Sequence, residues 1–117
     1  MEMLRHSFYD ILQSNQDGYT IRFYASHPIF SGHFLGKAIV PGACIVQIAE
    51  ELAAMNYGHS IRFTAIRDLK LRQPITPDQE ITIFIQQTAE SACKVQCIDV
   101  KKEPQLIISF NAQFISI

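Results

Sequence analysis

Two histidines, three of the chain's five glycines and a proline–glycine step fall within one stretch, "HPIFSGHFLGKAIVPGACIVQ", residues 27–47. A neutral imidazole is the side chain suited to taking up a proton near neutral pH. His33 follows Gly32 in a loop, where neighbours can hold the ring while leaving it near solvent. Nine residues further on, Pro41 and Gly42 open an apolar segment of helical spacing. Proline suits the start of a helix, and glycine, lacking a Cβ, lets a ligand approach its backbone N–H closely. A helix N-terminus offers unpaired N–H groups and a partial positive charge. A carbonyl oxygen placed there is polarised, and a nearby base can abstract a proton from the adjacent carbon while Gly42 holds the developing oxyanion. The same residues also fit a plainer reading, in which His33 is an ordinary loop histidine and Gly42 merely starts a helix. His27, before a proline, reads as a turn residue that shapes the loop; His6 and His59 read as solvated residues near element ends.

The elements that position these residues follow from periodicity. In "GACIVQIAEELAAMNYG", Ile45, Ile48, Ala49 and Leu52 recur at helical spacing and Gly58 is a natural stop, which predicts a helix over about 42–57. Before it, residues 7–25 read as two short strands around the turn "NQDG". After it come only strand patterns. "IRFTAIRDLKLRQPI" is one long candidate; "EITIFIQQTA" places Ile81, Ile83 and Ile85 on one face; "ACKVQCIDVKK" follows. "QLIISFNAQFISI" places Leu106, Ile108, Phe110, Ala112 and Phe114 together. Two strands, one helix and four strands with short connections predict an α+β fold, an antiparallel sheet wrapped around a single helix, and argue against doubly wound α/β.

Composition bounds the rest. A chain of 117 residues supports one core, hence a single domain spanning 1–117. With 48% hydrophobic and 18% charged residues it leans apolar, as though some surface were reserved for a partner. A net charge of −1 offers no general attraction to nucleic acid or anionic membrane. Cys44, Cys93 and Cys97 form no CxxC pair and sit among apolar residues, which reads as reduced thiols in a core rather than a metal site. No run has the length of a signal peptide or a membrane span, so a cytoplasmic protein is expected.

The stretch "HPIFSGHF…GKAIVPG" resembles the signature of the β-hydroxyacyl-acyl-carrier-protein dehydratases, whose hotdog fold is a curved antiparallel sheet around one central helix. That family's loop runs His-Pro-x-Phe-x-Gly-His-Phe-Pro to a Pro-Gly step; His27, Pro28, Phe30, Gly32, His33, Phe34, Pro41 and Gly42 match it, and Leu35 departs from it. "LKLRQPITPDQEI" is similar to a second family turn through Pro74, Pro77 and Asp78, without its glycine. The resemblance implies that His33 is the base at C2 of a 3-hydroxyacyl thioester and that the Gly42 N–H binds the thioester carbonyl. The family's acid, five positions after that glycine, is here Gln47. An amide can hydrogen-bond a hydroxyl or a water but has no useful acidity. Glu50 and Glu51, three and four residues further along, are candidate substitutes on the same helical face, or else part of a solvated face.

Members of that family are dimers with an acyl tunnel at or near the interface and catalytic groups drawn from both protomers. Phe30, Phe34, Ile39 and Phe84 are candidate tunnel residues, equally readable as core. Arg62, Arg67, Lys70 and Arg72 form a basic strand that would receive the acidic carrier protein and its phosphopantetheine phosphate, or a solvated strand face. The leading expectation is a dehydratase that forms the trans-2-enoyl thioester on acyl carrier protein, as a homodimer or higher oligomer, with no metal or redox cofactor. Two alternatives stand beside it. One is a hotdog thioesterase in which Gln47 orients water and Glu50 or Glu51 is the base. The other is a catalytically silent acyl- or carrier-binding subunit of a hotdog heterodimer.

Overall fold

The β-branched and aromatic runs form strands where the period of two puts one face in the core. The structure is a computed structural model and describes residues 3–16, 18–30, 38–100 and 105–117. Its elements are β1 (Tyr9–Asn15), β2 (Gly18–Phe23), α1 (Gly42–Tyr57), β3 (Ile61–Leu71), β4 (Glu80–Ala89), β5 (Ala92–Asp99) and β6 (Gln105–Ser116). The six strands make one sheet in the order β1-β2-β4-β5-β6-β3, and every neighbouring pair is antiparallel. This is the hotdog arrangement of one sheet around one helix.

The helix sits in the concave face because one of its stripes is wholly apolar. Ile45, Ile48, Ala49, Leu52 and Ala53 have no exposed surface and join one core with Ile81, Ile83, Ile85, Val95, Ile108 and Phe110. Burying Ile45, Ile48 and Leu52 contributes at most roughly 5–9 kcal/mol. Gly58 ends the helix in the left-handed region, φ 77°, and donates its N–H to the carbonyls of Ala54 and Met55 at 3.0 and 3.3 Å. Ahead of the helix, a 3-10 turn at Pro28–Phe30 is fixed by the His27 ring, whose Nδ1 accepts the Ile29 N–H at 3.1 Å. That ring stands edge-on to Phe8, and Phe30 stacks on the same Phe8 with centroids 5.3 Å apart.

Two strand readings need correction. Strand β3 stops at Leu71 instead of running to Ile75, because Ile75 turns to give its carbonyl to the Val40 N–H at 2.7 Å and so ties this segment to the approach to α1. Leu106 does not share the face of Ile108, Phe110, Ala112 and Phe114. Ile108 pairs with Cys97 and Leu106 with Ile98, so Ile107 is an extra residue. This bulge turns Leu106 to the outer face and leaves Ile107 and Ile108 both fully buried. Among the described residues, no helix is long and apolar enough to cross a membrane.

Candidate active site

Helix α1 starts without a side-chain cap: Pro41 is extended at φ −62°, ψ 140°, and its carbonyl accepts the N–H of Cys44 at 3.0 Å and of Ile45 at 3.4 Å. The N–H groups of Gly42 and Ala43 have no hydrogen-bond partner among the described residues. A Cβ built on Gly42 would meet nothing within 4 Å among the described residues. The end is held in place from behind by the bond from Val40 to Ile75. Unpaired N–H donors at the positive end of a helix dipole are the features that polarise a carbonyl oxygen placed against them.

Gln47 lies on the face of α1 that the sheet does not cover. It lines an open groove of about 830 Å³ between α1 and β3, with Ala43, Val46, Glu50, Phe63 and Ile66. One turn further along, Glu51 accepts four donors: the Leu4 N–H at 2.7 Å, the Arg5 N–H at 3.1 Å, the Tyr9 hydroxyl at 3.0 Å and the Gln47 Nε2 at 3.1 Å. Two carboxylate oxygens offer about four acceptor positions, so Glu51 is saturated and serves as an anchor. Burial, and then the neighbouring Glu51 charge and hydrogen bond, push the Tyr9 hydroxyl well above its ordinary range. Glu50 accepts the Phe63 N–H at 2.8 Å, beside the irregularity between Phe63 and Ala65 in β3. The pair expected to stand in for a missing acid therefore holds the N-terminal segment and β3 onto the helix. Tyr9, 42 residues from Glu51, carries no signal in the sequence that marks this role.

The other expected site residues scatter. His33 and Phe34 lie outside the described residues, as does Leu35. Phe30 is buried core against Phe8, and Ile39 is 39% exposed just before the helix. Phe84 belongs to the exposed face of β4. It alternates with the fully buried Ile83 and Ile85, is 40% exposed on the outer face and lies over Gly18, whose added Cβ would stand 2.8 Å from its ring. The basic strand also divides. Arg62 lines the α1–β3 groove, whereas Lys70 and Arg72 line an outer-face trough of about 250 Å³ with Asp68, Lys94, Gln96, Ser109 and Asn111. Arg67 lines neither. Lys94 was legible as an outward position, since it alternates with the buried Cys93 and Val95. Among the described residues no cluster of His, Cys, Asp and Glu is arranged to hold a metal ion.

The family model for ApeI-like proteins, described as ApeI dehydratase, matches residues 12–109. The 3-hydroxyacyl-acyl-carrier-protein dehydratase FabZ of Ehrlichia canis (strain Jake) is 30% identical over 84 residues, 62% of this chain; the match spans only 57% of that relative's length. Among solved structures, the dehydratase domain of RzxB from Pseudomonas fluorescens superposes with a TM-score of 0.71 at 18% identity, covering 99% of this chain and 46% of that one. The dehydratase heterocomplex ApeI:P from Xenorhabdus doucetiae superposes with a TM-score of 0.64 at 17% identity, covering 87% and 90%. At these identities the two structures speak for the shared fold.

Proposed function

Since the chain belongs to the ApeI-like dehydratase family, we propose that it acts on 3-hydroxyacyl thioesters of acyl carrier protein and eliminates water to give the trans-2-enoyl thioester. The observation that carries this reading is the Gly42 N–H, without a hydrogen-bond partner among the described residues, at the head of the helix that also carries Gln47. The thioester oxygen accepts the Gly42 N–H, which acidifies the protons on C2. His33 takes one of them, the electron pair forms the C2–C3 double bond, and the C3–O bond breaks. The departing oxygen must gain a proton to leave as water. Gln47 binds that hydroxyl, and the proton comes from the imidazolium, from solvent or from a partner chain. A second hotdog chain closes the α1–β3 groove, and the carrier docks by charge on the trough of Lys70, Arg72 and Lys94.

A second reading rests on Gln47 itself. A chain that keeps the carbonyl site but carries an amide where its relatives use an acid suits the binding half of a heterodimer whose partner supplies the acid. One experiment separates the readings. The purified protein is given a 3-hydroxyacyl thioester on acyl carrier protein, and enoyl absorbance and free thiol are followed together, with His33→Ala alongside. Enoyl product that disappears in the variant supports the dehydratase. Free thiol instead makes the chain a thioesterase and overturns it. Neither product, with carrier binding retained, assigns the chain to the binding subunit.

A further inference from the structure

The outer-face trough is laid out on three strands. Register places Lys94 opposite Asn111 and Gln96 opposite Ser109 on one side of β6, and Lys70 opposite Ser109 on the other. The two lysines therefore flank a neutral centre, Ser109 and Asn111, from strands about 10 Å apart. Lys70, Arg72 and Lys94 form no ion pair among the described residues. One group breaks this pattern. From Arg67 to Lys70 the strand β3 carries an extra residue against Asn111 and Ser109, and Asp68 takes the left-handed region there, φ 55°. Glycine is the usual occupant of such a position. Asp68 lines the trough, and its Oδ2 accepts the Asn111 Nδ2 hydrogen at 3.4 Å. The cations end flexible chains that can follow a ligand or withdraw to water, whereas this carboxylate stands on a bulged backbone and is tied to the neutral centre.

We infer that Asp68 is a specificity-determining residue that makes the trough a site for a singly charged phosphodiester and sets it against doubly charged phosphate groups. The cations draw any oxyanion and the Ser109 hydroxyl and Gln96 amide supply neutral donors. The fixed carboxylate adds a repulsion that doubles when the ligand's charge doubles. In a site open to water each such charge is worth about fivefold in affinity. The occupant is the phosphodiester through which an acyl carrier protein holds its prosthetic arm. That use rests on the reading above, whereas the charge filter rests on the trough alone. Coenzyme A carries a diphosphate and a phosphomonoester, the extra charge that Asp68 opposes, so carrier-borne thioesters are selected over coenzyme A thioesters.

The filter is tested first without any turnover. Dimethyl phosphate carries one negative charge, and methyl phosphate carries close to two at pH 8. Each is titrated into the intact protein and into Asp68→Asn, and the amide resonances of Ser109 and Asn111 are followed by NMR. Asparagine tolerates the left-handed position as aspartate does, so this variant keeps the backbone. Asp68→Gly, with the residue the bulge ordinarily takes, repeats the test without the bond to Asn111. Both variants should tighten methyl phosphate about fivefold more than they tighten dimethyl phosphate, and Lys94→Ala should weaken both probes. Equal gains for the two probes, or no shift of Ser109 and Asn111 with either, overturn the proposal. Carrier binding then tests the use. The parent should bind carrier bearing its prosthetic arm more tightly than carrier without it, and Asp68→Asn should gain about fivefold or more for an acyl-coenzyme A relative to the same acyl group on the carrier. Carrier with and without the arm binding alike overturns the phosphodiester as the occupant. A carrier that does not bind at all, beside probes that obey the filter, sinks the proposed function and upholds the role of Asp68.

Discussion

Removing the Glu51 side chain should cost far more than removing an exposed carboxylate, and the excess should depend on Tyr9. Four donors converge on Glu51, and the Tyr9 hydroxyl is the one with no route to water, since Tyr9 is 0% exposed. In Glu51→Ala that hydroxyl is left buried and unpaired, at about 1–3 kcal/mol. The Leu4 and Arg5 N–H groups are part-buried and exchange a charge-assisted bond for water, adding about 1 kcal/mol together. The total of about 2–4 kcal/mol corresponds to a fall in Tm of about 8–16 °C for a chain of this size. Tyr9→Phe alone removes one donor from a carboxylate that keeps three, and should cost about 1 kcal/mol. Combining the two removes both partners, so the double variant should be about 1–2 kcal/mol more stable than the sum of the single losses. Urea denaturation followed by far-UV circular dichroism, with m-values compared across the four proteins, measures the cycle. Additivity within about 0.5 kcal/mol would refute the claim that Glu51 is the partner keeping Tyr9 satisfied.

Thiol chemistry and the outer-face phenylalanine give two further expectations. Burial raises all three cysteine thiols, Cys93 to about 11 despite an opposing bond from Tyr57, while Cys44 is only half-buried and both Cys93 and Cys97 are fully buried. Because the raised values suppress thiolate, iodoacetamide at pH 8 should label Cys44 first and reach Cys93 and Cys97 only on unfolding; rapid Cys93 labelling of folded protein, read by peptide mass mapping, contradicts this. Phe84→Ala should leave the acyl-chain-length profile unchanged and lower stability by about 1 kcal/mol, by uncovering Gly18 on the outer face. A shifted chain-length preference would return Phe84 to the tunnel.

The parts of this fold that were legible in the sequence are those written as a period. The alternation of Ile81, Ile83 and Ile85 and the helical recurrence of Ile45, Ile48, Ala49 and Leu52 each name a buried face directly, and all seven residues are fully buried. Period-based reading fails where one residue resets the count. The extra Ile107 put Leu106 on the wrong face. The irregularity between Arg67 and Lys70, with Asp68 in the left-handed region at φ 55°, interrupts a strand that reads as one basic face, and its two ends serve different surfaces. Glu51 shows a different limit. Its spacing from Gln47 is plain, but its duty is set by Leu4, Arg5 and Tyr9, and contacts of that sequence separation leave no local pattern.

One helix, α1, carries both Gly42 and Gln47, the two groups that the proposed reaction uses at the carbonyl and at C3. Gly42 and Gln47 are separated by five residues, an axial rise of about 7.5 Å. In the proposed reaction the carbonyl contact at Gly42 does not depend on whether residue 47 is acidic. Only the last proton does. Polarising the carbonyl and abstracting from C2 generate an enolate-like intermediate, but expulsion of the C3 oxygen as hydroxide is slow without a donor, and loss of a general acid typically costs on the order of 10²–10⁴ in rate. The α1–β3 groove beside Gln47, lined by Ala43, Val46, Phe63 and Ile66, opens on the side of the helix away from the core stripe of Ile45, Ile48 and Leu52, and is where the second chain of the proposed reaction would bring that donor.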